Sequence, residues 1–227
     1  MSYSSKEHLD NLSNNAVLFF DLETIGFVEN TLYAQCNVED SYPDYKSNNY
    51  DNARIIQIGW LFQKQFNYEK KININNIEEL LVKPDGFEIK NSHIHGITQE
   101  HADQNGIVIS NALEIFAKFI EESDYIIGYN VFFDINIMLN ELHRLDMCKT
   151  IDKILQLKTE QKILCTGALS QKYIDKYVNY KLYTIPKQIY VYEHLFKKKL
   201  TGVHNARNDI LATYEITKHI FETVYKK

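Results

Sequence analysis

Two carboxylates stand one residue apart at the end of an apolar run. Val17 to Phe20 have the composition of a buried strand, and Asp21 and Glu23 come next. Because successive side chains of a strand alternate between its two faces, these carboxylates project from the same side. Like charges this close repel each other, so a partner of opposite charge must offset them.

A third carboxylate, Asp134, follows a second apolar stretch. Tyr125 to Tyr129 are typical of a short strand, and Asn130 follows at the predicted start of a helix. Asp134 lies four residues after Asn130 and therefore on the same helical face. Taken alone, this pattern is more typical of a helix N-cap and a first-turn acid than of a catalytic site.

A fourth carboxylate and a histidine stand near the C-terminus. Asp209 comes early in a predicted helix, and His204 precedes it by five residues. In a continuous helix this spacing would place the two side chains about 140° apart around the axis. His204 therefore reaches the side of Asp209 only from a loop before the helix, which Gly202 favours. On its own, the pattern again fits a surface histidine and a first-turn acid.

Together, the four carboxylates indicate a metal site. Each stands where a predicted strand ends or a helix begins, and in an open sheet such positions meet at the carboxyl edge of the strands. Four carboxylates gathered there would destabilise the fold unless cations neutralised them. Carboxylate-only ligand sets suit hard ions, Mg²⁺ or Mn²⁺, rather than zinc. His204 is then the nearby group that accepts a proton near neutral pH.

The elements that must position these residues alternate along the chain. The predicted strands are Ala16–Leu22, Arg54–Gln63, Phe66–Ile74, Glu79–Lys83, Tyr125–Tyr129 and Lys162–Cys165. The predicted helices are Ile109–Glu121, Val131–Leu145, Thr166–Tyr177, Pro186–Phe196 and Ala206–Val224, with Pro186 in the first turn of its helix. Strands come first and strand–helix alternation follows, which favours an α/β or mixed sheet with flanking helices.

The chain of 227 residues suits a single domain. Residues 1–15 form a polar N-terminal tail without the apolar stretch of a signal peptide. Residues 27–53 form a long polar insertion, rich in Asn, Asp and Tyr, that is unusual for a loop in a compact domain. The insertion is either disordered or a lid over the carboxylates.

Composition and charge narrow the class of protein. The formal net charge of −5 argues against a protein that coats nucleic acid through bulk electrostatics, but not against an enzyme that binds cations. Three widely spaced cysteines (Cys36, Cys148 and Cys165) form neither a disulfide framework nor a CxxC metal site. The longest apolar runs are too short to cross a bilayer. We therefore expect an intracellular, cytoplasmic protein without a membrane partner.

The order of the motifs resembles a known enzyme family. The segments "FDLET" (Asp21, Glu23), "NVFFD" (Asp134) and "HNARND" (His204, Asp209) resemble the three motifs of the DEDDh, or DnaQ-like, 3′–5′ exonucleases. This family has the ribonuclease-H-like fold. A lone Asp-x-Glu carries no information, whereas all five positions in order form a strong signal.

Further segments extend the resemblance over residues 16–220. In the third motif, His-x-Ala-x-x-Asp, Ala206 matches the family as well, and "ARIIQIGW", "HIHGIT" and "ILCTGALSQKY" resemble other family segments. Ile25 stands where relatives often have a threonine, and the insertion is longer than usual. The insertion leaves the substrate preference open.

The resemblance implies a fold and a reaction. It implies a ribonuclease-H-like mixed central sheet of about five strands flanked by helices, with residues 1–227 forming one exonuclease domain. It also implies two Mg²⁺ (or Mn²⁺) ions, with Asp21 bridging both, Glu23 and Asp209 completing one site, and Asp134 acting partly through water. His204 would take the proton of the attacking water. Nucleoside 5′-monophosphates would leave from a nucleic-acid 3′ end.

The resemblance also indicates residues that bind the substrate. These are Leu22, Thr24, His95, Asn130, Phe133 and Arg207. Phe133 could stack on the penultimate base or fill the core. Asn130 could contact the nucleic-acid strand or cap its helix. His95 could line the nucleotide pocket or form hydrogen bonds to the backbone of its own turn. The lysines at 197–199 and Arg207 could guide phosphates, although a charge run is usually a solvated face.

Two other functions fit the same pattern. A catalytically silent nuclease fold could bind nucleic acid or a protein partner, but such relatives normally lose one of the five residues that this chain keeps. The chain could instead serve a polymerase or a repair complex as its nuclease subunit. Single-stranded 3′ ends are the expected substrate, whereas the choice of DNA or RNA and the oligomeric state are not specified by the sequence.

Overall fold

A computed structural model of the chain describes residues 12–31, 42–174, 185–202 and 204–225. Its centre is a five-stranded sheet in the order β3-β2-β1-β4-β5. The strands are β1 (Val17–Thr24), β2 (Ile55–Gln63), β3 (Glu78–Leu81), β4 (Tyr125–Gly128) and β5 (Ile163–Cys165). Strand β2 is antiparallel to β1 and to β3, whereas β4 is parallel to β1 and to β5. This mixed sheet with flanking helices confirms the predicted α/β fold class.

Eight helices are described around the sheet. They are α1 (Ser92–His95), α2 (Gln99–Asn105), α3 (Ile109–Glu122), α4 (Val131–Arg144), α5 (Cys148–Thr159), α6 (Thr166–Ile174), α7 (Gln188–Phe196) and α8 (Ala206–Tyr225). None of these helices is long and apolar enough to cross a membrane.

The alternation of side chains along β1 divides the core into two layers. Leu18 and Phe20 pack in one layer with the apolar faces of α3, α4 and α5. Val17 and Phe19 point the other way and pack with α7 and α8. Because both faces of β1 are covered, its sequence is a continuous apolar run rather than an alternating one.

Most predicted elements occur within two residues of their predicted bounds, but the strand Phe66–Ile74 is wrong. This segment forms turns that lead into a short 3₁₀ helix at Ile74–Asn76. Its apolar side chains pack on α8 instead, where Tyr68 stacks on Phe221 at 6.0 Å between ring centroids. The segment thus carries strand-like residues because it covers a helix.

The helix predictions missed some helices and misplaced the start of one. Helices α1, α2 and α5 were not predicted, and α7 begins at Gln188, so Pro186 precedes the helix instead of lying in its first turn. Residues 175–184, which include the predicted end of the helix from Thr166, lie outside the described residues. Leu12, within the predicted polar tail, is fully buried in the core.

The described half of the insertion is folded against α4. Tyr50 is buried, and its hydroxyl donates to the Pro43 carbonyl at 2.7 Å. The Asn140 side chain donates to the Tyr45 carbonyl at 2.6 Å, which ties the insertion to the helix. The expectation of disorder therefore fails for residues 42–53, while residues 32–41 lie outside the described part of the chain.

Candidate active site

Three carboxylates meet at the end of β1. Asp21 and Glu23 come from this strand, and Asp209 comes from the first turn of α8. One carboxylate oxygen from each lies within 4.8 Å of the other two. Oxygen ligands at this spacing fit a hard divalent cation, which prefers carboxylates over nitrogen or sulfur ligands.

A glycine allows α8 to approach the strand that carries these residues. Gly59 on β2 lies directly opposite Asp21 in the antiparallel pair. A Cβ atom at Gly59 would lie 2.7 Å from the Cβ of Ala206 and 2.9 Å from Cδ1 of Ile210. The missing side chain at Gly59 and the small one at Ala206 therefore bring the first turn of α8, and with it Asp209, next to Asp21.

The loop before α8 places His204 beside Asp209, as predicted. Gly202 and His204 have φ angles of 71° and 61°, so the chain turns sharply before the helix begins. The His204 backbone N–H donates to Oδ2 of Asp209 at 2.9 Å. The His204 side chain itself is exposed, which leaves it accessible to a ligand.

Asp134 approaches the group from the opposite layer of the fold. Its side chain is 3% exposed and accepts a hydrogen bond from the backbone N–H of Leu22. Asp134 is not one of the three mutually close carboxylates, but its charge raises the pKa of Asp21. All four predicted carboxylates thus act on one small region, although they come from three elements.

Burial and mutual repulsion favour the protonated forms of these acids. Burial, and then the charges of Asp134, Asp209 and Glu23, raise the pKa of Asp21 well above its usual value. Burial and the charge of Asp209 raise the pKa of Glu23 to about 8. Burial raises the pKa of Asp209 to about 6, although N–H groups of the preceding loop partly offset this effect. A divalent cation at the site would offset both effects, because its positive charge favours the ionised carboxylates.

The raised pKa values predict how the metal-free protein responds to pH. Glu23 ionises near pH 4.5 when unfolded and near pH 8 when folded, so the folded state holds an extra proton in between. Stability therefore falls as pH rises through this window, by about 1.4 kcal/mol per unit of pKa shift at most. We expect the melting temperature in EDTA to be roughly 5 °C or more lower at pH 8.5 than at pH 5.

A Glu23→Gln variant is the control for this effect, because other groups also titrate in the same window. The variant should lose much of the pH dependence, and Mn²⁺ should restore stability at pH 8.5 only in the parent chain. An identical pH dependence in parent and variant would contradict the raised pKa of Glu23.

Residues beside Asp21 are more constrained than the sequence suggested. Leu22 is 6% exposed and its side chain lies in the core, so only its backbone remains for the predicted substrate contact. Its N–H is already engaged by Asp134. The Thr24 hydroxyl donates to the Gly26 carbonyl at 2.8 Å and keeps its lone pairs for a ligand.

Both ring nitrogens of His95 form hydrogen bonds within its own turn. This was the alternative to lining the nucleotide pocket. Nε2 lies 3.0 Å from the Lys90 carbonyl, and Nδ1 accepts the Ile97 N–H at 3.1 Å. The ring is also buried, at 9% exposed. A polar contact between this ring and a nucleotide would require breaking one of these bonds.

Asn130 was the candidate helix cap and Arg207 a candidate guide for phosphates, and the structure shows different contacts for both. Asn130 occupies the N-cap position of α4 in a left-handed conformation (φ 57°), but its side chain makes no capping hydrogen bond. Arg207 pairs with Glu79 on β3, with 3.2 Å between Nη2 and Oε1. The predicted contacts of both residues with the substrate remain predictions.

An aromatic residue that the sequence analysis missed lies beside Phe133. Phe27 is 69% exposed, and its ring centroid is 6.3 Å from that of Phe133, which is itself half-buried. Phe27 follows Glu23 by four residues, but it was assigned to the polar insertion and so received no role. Its position just after the strand that carries the carboxylates was the available signal.

The insertion holds the loop that carries Phe27. The Glu29 N–H donates to the Asn49 carbonyl at 2.9 Å, and the Asn52 side chain donates to the Glu29 carboxylate at 2.5 Å. Gly26 lies so close to the Asn52 carbonyl that a Cβ atom there would be 2.7 Å from the oxygen. The exposed aromatic side chain is therefore carried by an ordered loop.

Comparisons with known proteins agree with this arrangement. The family model described as "Exonuclease" matches residues 18–217. E. coli exonuclease I, in its zinc-bound complex with single-stranded DNA, superposes with a TM-score of 0.63 and 18% identity over 95% of this chain and 42% of that one. Exonuclease I from Methylocaldum szegediense gives 0.59 and 14%, over 93% and 43% of the two chains.

A shorter nuclease has a similar fold. Cell-death related nuclease 4 superposes with a TM-score of 0.58 and 13% identity, over 92% of this chain and 64% of that one. No curated protein matches the chain significantly in sequence. The chain spans less than half the length of the exonuclease I proteins, and likeness at these identities shows the ribonuclease-H-like fold. Because the family model covers most of the sequence and the expected motifs lie at one site, the chain belongs to the DEDDh exonuclease family.

Proposed function

We propose that this chain is a metal-dependent 3′–5′ exonuclease that releases nucleoside 5′-monophosphates from single-stranded nucleic acid. The observation that carries the proposal is the meeting of Asp21, Glu23 and Asp209 within 4.8 Å of one another. Such a cluster costs folding energy, and binding of a divalent cation is the arrangement that offsets this cost.

The carboxylates would hold two Mg²⁺ or Mn²⁺ ions, which supply charge stabilisation for the scissile phosphate and lower the pKa of the attacking water. Asp21 belongs to the close group with Glu23 and Asp209 and also responds to the charge of Asp134, so it is the residue that would be shared between two ions. Asp134 is buried and held by the Leu22 N–H, which orients its carboxylate toward β1. Its part would be to complete the second ion position, partly through water.

His204 would take the proton from the attacking water. The loop conformation brings its backbone to Asp209 and leaves its imidazole exposed at the site. Imidazole is the side chain suited to accept and release a proton near neutral pH. In this arrangement His204 and the carboxylates have separate tasks, since the carboxylates bind cations and the histidine moves a proton.

Phe27 and Phe133 would hold the bases near the 3′ end by stacking. Their rings lie 6.3 Å apart, Phe27 on the loop after β1 and Phe133 on α4 directly before Asp134, and Phe27 is largely exposed. Stacking on aromatic side chains tolerates any base and contributes about 1–3 kcal/mol per base. The exonuclease I neighbour was solved with single-stranded DNA, which supports a single strand as the substrate here.

A Phe27→Ala variant is expected to raise KM for a single-stranded oligonucleotide about tenfold, with a much smaller change in kcat. The reason is that the ring binds the ground state and the transition state alike. Steady-state kinetics on a 20-nucleotide DNA measures both constants. Ile115→Ala removes another exposed apolar side chain, on α3, and should leave both constants unchanged. A fall in kcat with unchanged KM would contradict the stacking role.

The proposed reaction is tested by digesting oligonucleotides that carry a label at the 5′ end. With Mg²⁺ or Mn²⁺, the parent chain should produce a ladder that shortens one nucleotide at a time, together with nucleoside 5′-monophosphates. Matched DNA and RNA strands determine the sugar preference. Release of the labelled nucleotide first would establish the opposite direction, and intact strands with both ions would favour a catalytically silent binding protein.

A further inference from the structure

A basic cleft of about 290 Å³ lies beside α8, away from the carboxylates. Its walls are the loop at Lys70 and Lys71, the end of α7 at Phe196, and α8 at Lys218 and His219. From Asp209 to Lys218 the helix advances about 14 Å and turns through about 900°, which places the two residues on opposite sides of the axis. The cleft is therefore distinct from the candidate active site.

The walls of this basic cleft are held by specific contacts. The Tyr214 hydroxyl donates to the Lys70 carbonyl at 2.8 Å and so fixes the lysine loop to α8. Phe196 packs edge-on against His219, with ring centroids 5.5 Å apart. Both contacts join α8 to another wall, so the cleft has a fixed shape.

The charge of the basic cleft is positive on balance. Lys70 and Lys71 are exposed, and neither forms an ion pair with any residue in the described ranges. Two glutamates also line the cleft: Glu222 lies 3.9 Å from Lys218, and Glu215 accepts a hydrogen bond from Tyr192 at 2.6 Å. The three lysines that line the cleft therefore exceed the glutamates by one charge. Three exposed lysines, 197–199, directly follow Phe196 in the sequence. This concentration of positive charge contrasts with the net charge of −5.

We propose that the basic cleft binds the phosphate backbone of the substrate strand upstream of its 3′ end. The inference rests on the proposed exonuclease function, since that function supplies a single strand whose end lies at the carboxylates. Lysine ammonium groups bind phosphates as point charges, and the half-buried Phe196 adds an apolar surface for a base or sugar. DNA and RNA share this backbone chemistry.

The geometry sets the length of strand that reaches both sites. The strand must pass around α8, about 14 Å along its axis and about 16 Å around half its circumference at a diameter of about 10 Å, which is a path of roughly 21 Å. At a stacked spacing of about 3.4 Å per nucleotide, this path needs about six nucleotides. A trinucleotide held at the carboxylates has only two internucleotide steps and would not reach the cleft even when extended, whereas a 20-nucleotide strand would.

A Lys70→Gln/Lys71→Gln variant tests the inference. Each lost phosphate contact should reduce the slope of log affinity against log salt by about 0.7, so the double variant should lose about 1.4 for a 20-nucleotide strand. This corresponds to about 25-fold weaker binding at 0.1 M salt. Fluorescence anisotropy in EDTA measures it without cleavage. The matched control, Lys118→Gln/Lys153→Gln, removes two charges from α3 and α5 in the other layer.

Cleavage kinetics complete the test and separate the two proposals. With Mg²⁺, the variant should show a raised KM for the 20-nucleotide strand and unchanged kinetics for a trinucleotide. An unchanged salt slope, an equal effect of the control variant, or the same loss on the trinucleotide would each overturn the inference. If the parent chain cleaves no strand, the proposed function fails. The slope of log affinity against log salt still shows whether the basic cleft binds nucleic acid.

Discussion

An Asp21→Asn variant is expected to remove nucleotides at least about a thousandfold more slowly than the parent chain. The Asp21 carboxylate lies close to both Glu23 and Asp209, and its pKa responds to the charges of all three other acids. Loss of this carboxylate would therefore weaken every cation position proposed for the site. Metal ions contribute several kcal/mol of transition-state stabilisation, and about 1.4 kcal/mol corresponds to a factor of ten in rate.

The same substitution is expected to stabilise the metal-free fold at neutral pH, because a neutral amide removes repulsion among the carboxylates. Thermal melting in EDTA measures this change, and single-turnover digestion measures the rate. Asp152→Asn removes an exposed carboxylate from α5 and should change neither quantity. Substantial cleavage by Asp21→Asn, or a loss of activity that merely follows a lower melting temperature, would contradict the assigned role.

A His204→Ala variant is expected to lower kcat by about 10²–10⁴-fold, which is the usual contribution of a positioned general base. The carboxylates remain in place in this variant, so the affinity for Mn²⁺ should stay close to that of the parent. KM should also change little, because the lost interaction acts mainly in the transition state. Titration calorimetry with Mn²⁺ and steady-state kinetics measure these quantities.

His101→Ala is the matched control, since His101 is an exposed histidine on α2 and should be silent on substitution. The outcome that refutes a proton-transfer role is a large loss of Mn²⁺ affinity in His204→Ala. In that case the imidazole itself would contribute to cation binding, because the backbone N–H that holds Asp209 is kept when residue 204 is alanine.

The elements of the sheet could be predicted because burial leaves a local signal. The continuous apolar run of β1 reflects a strand covered on both faces, and the carboxylates directly after it mark where that strand reaches the surface. The place of His204 on a loop also followed from helical geometry and from Gly202. These features depend on residues close together in the sequence.

Features that depend on distant contacts could not be predicted. Nothing local indicates that Gly59 on β2 and Ala206 on α8 touch, yet this contact brings Asp209 to Asp21. The segment from Phe66 has strand-like residues because it packs on Phe221, more than 150 positions later. In such cases tertiary packing overrides local propensity.

The substrate contacts were the least predictable part of the site. His95 was a candidate by resemblance, but its ring closes its own turn through the Lys90 carbonyl and the Ile97 N–H. Phe27 was hidden because the polar composition of the insertion suggested a loop without a role. Which side chains face a cleft is determined by turns, and turns are poorly specified by residue type alone.

Diffraction from crystals soaked in Mn²⁺, recorded near the manganese absorption edge, tests the central claim most directly. We expect two anomalous peaks about 4 Å apart, with carboxylate oxygens of Asp21, Glu23 and Asp209 as ligands of the manganese. The same experiment on Asp21→Asn should lose at least one of the peaks. Peaks only at other places on the chain, or none at Mn²⁺ concentrations that support cleavage, would contradict a shared metal site.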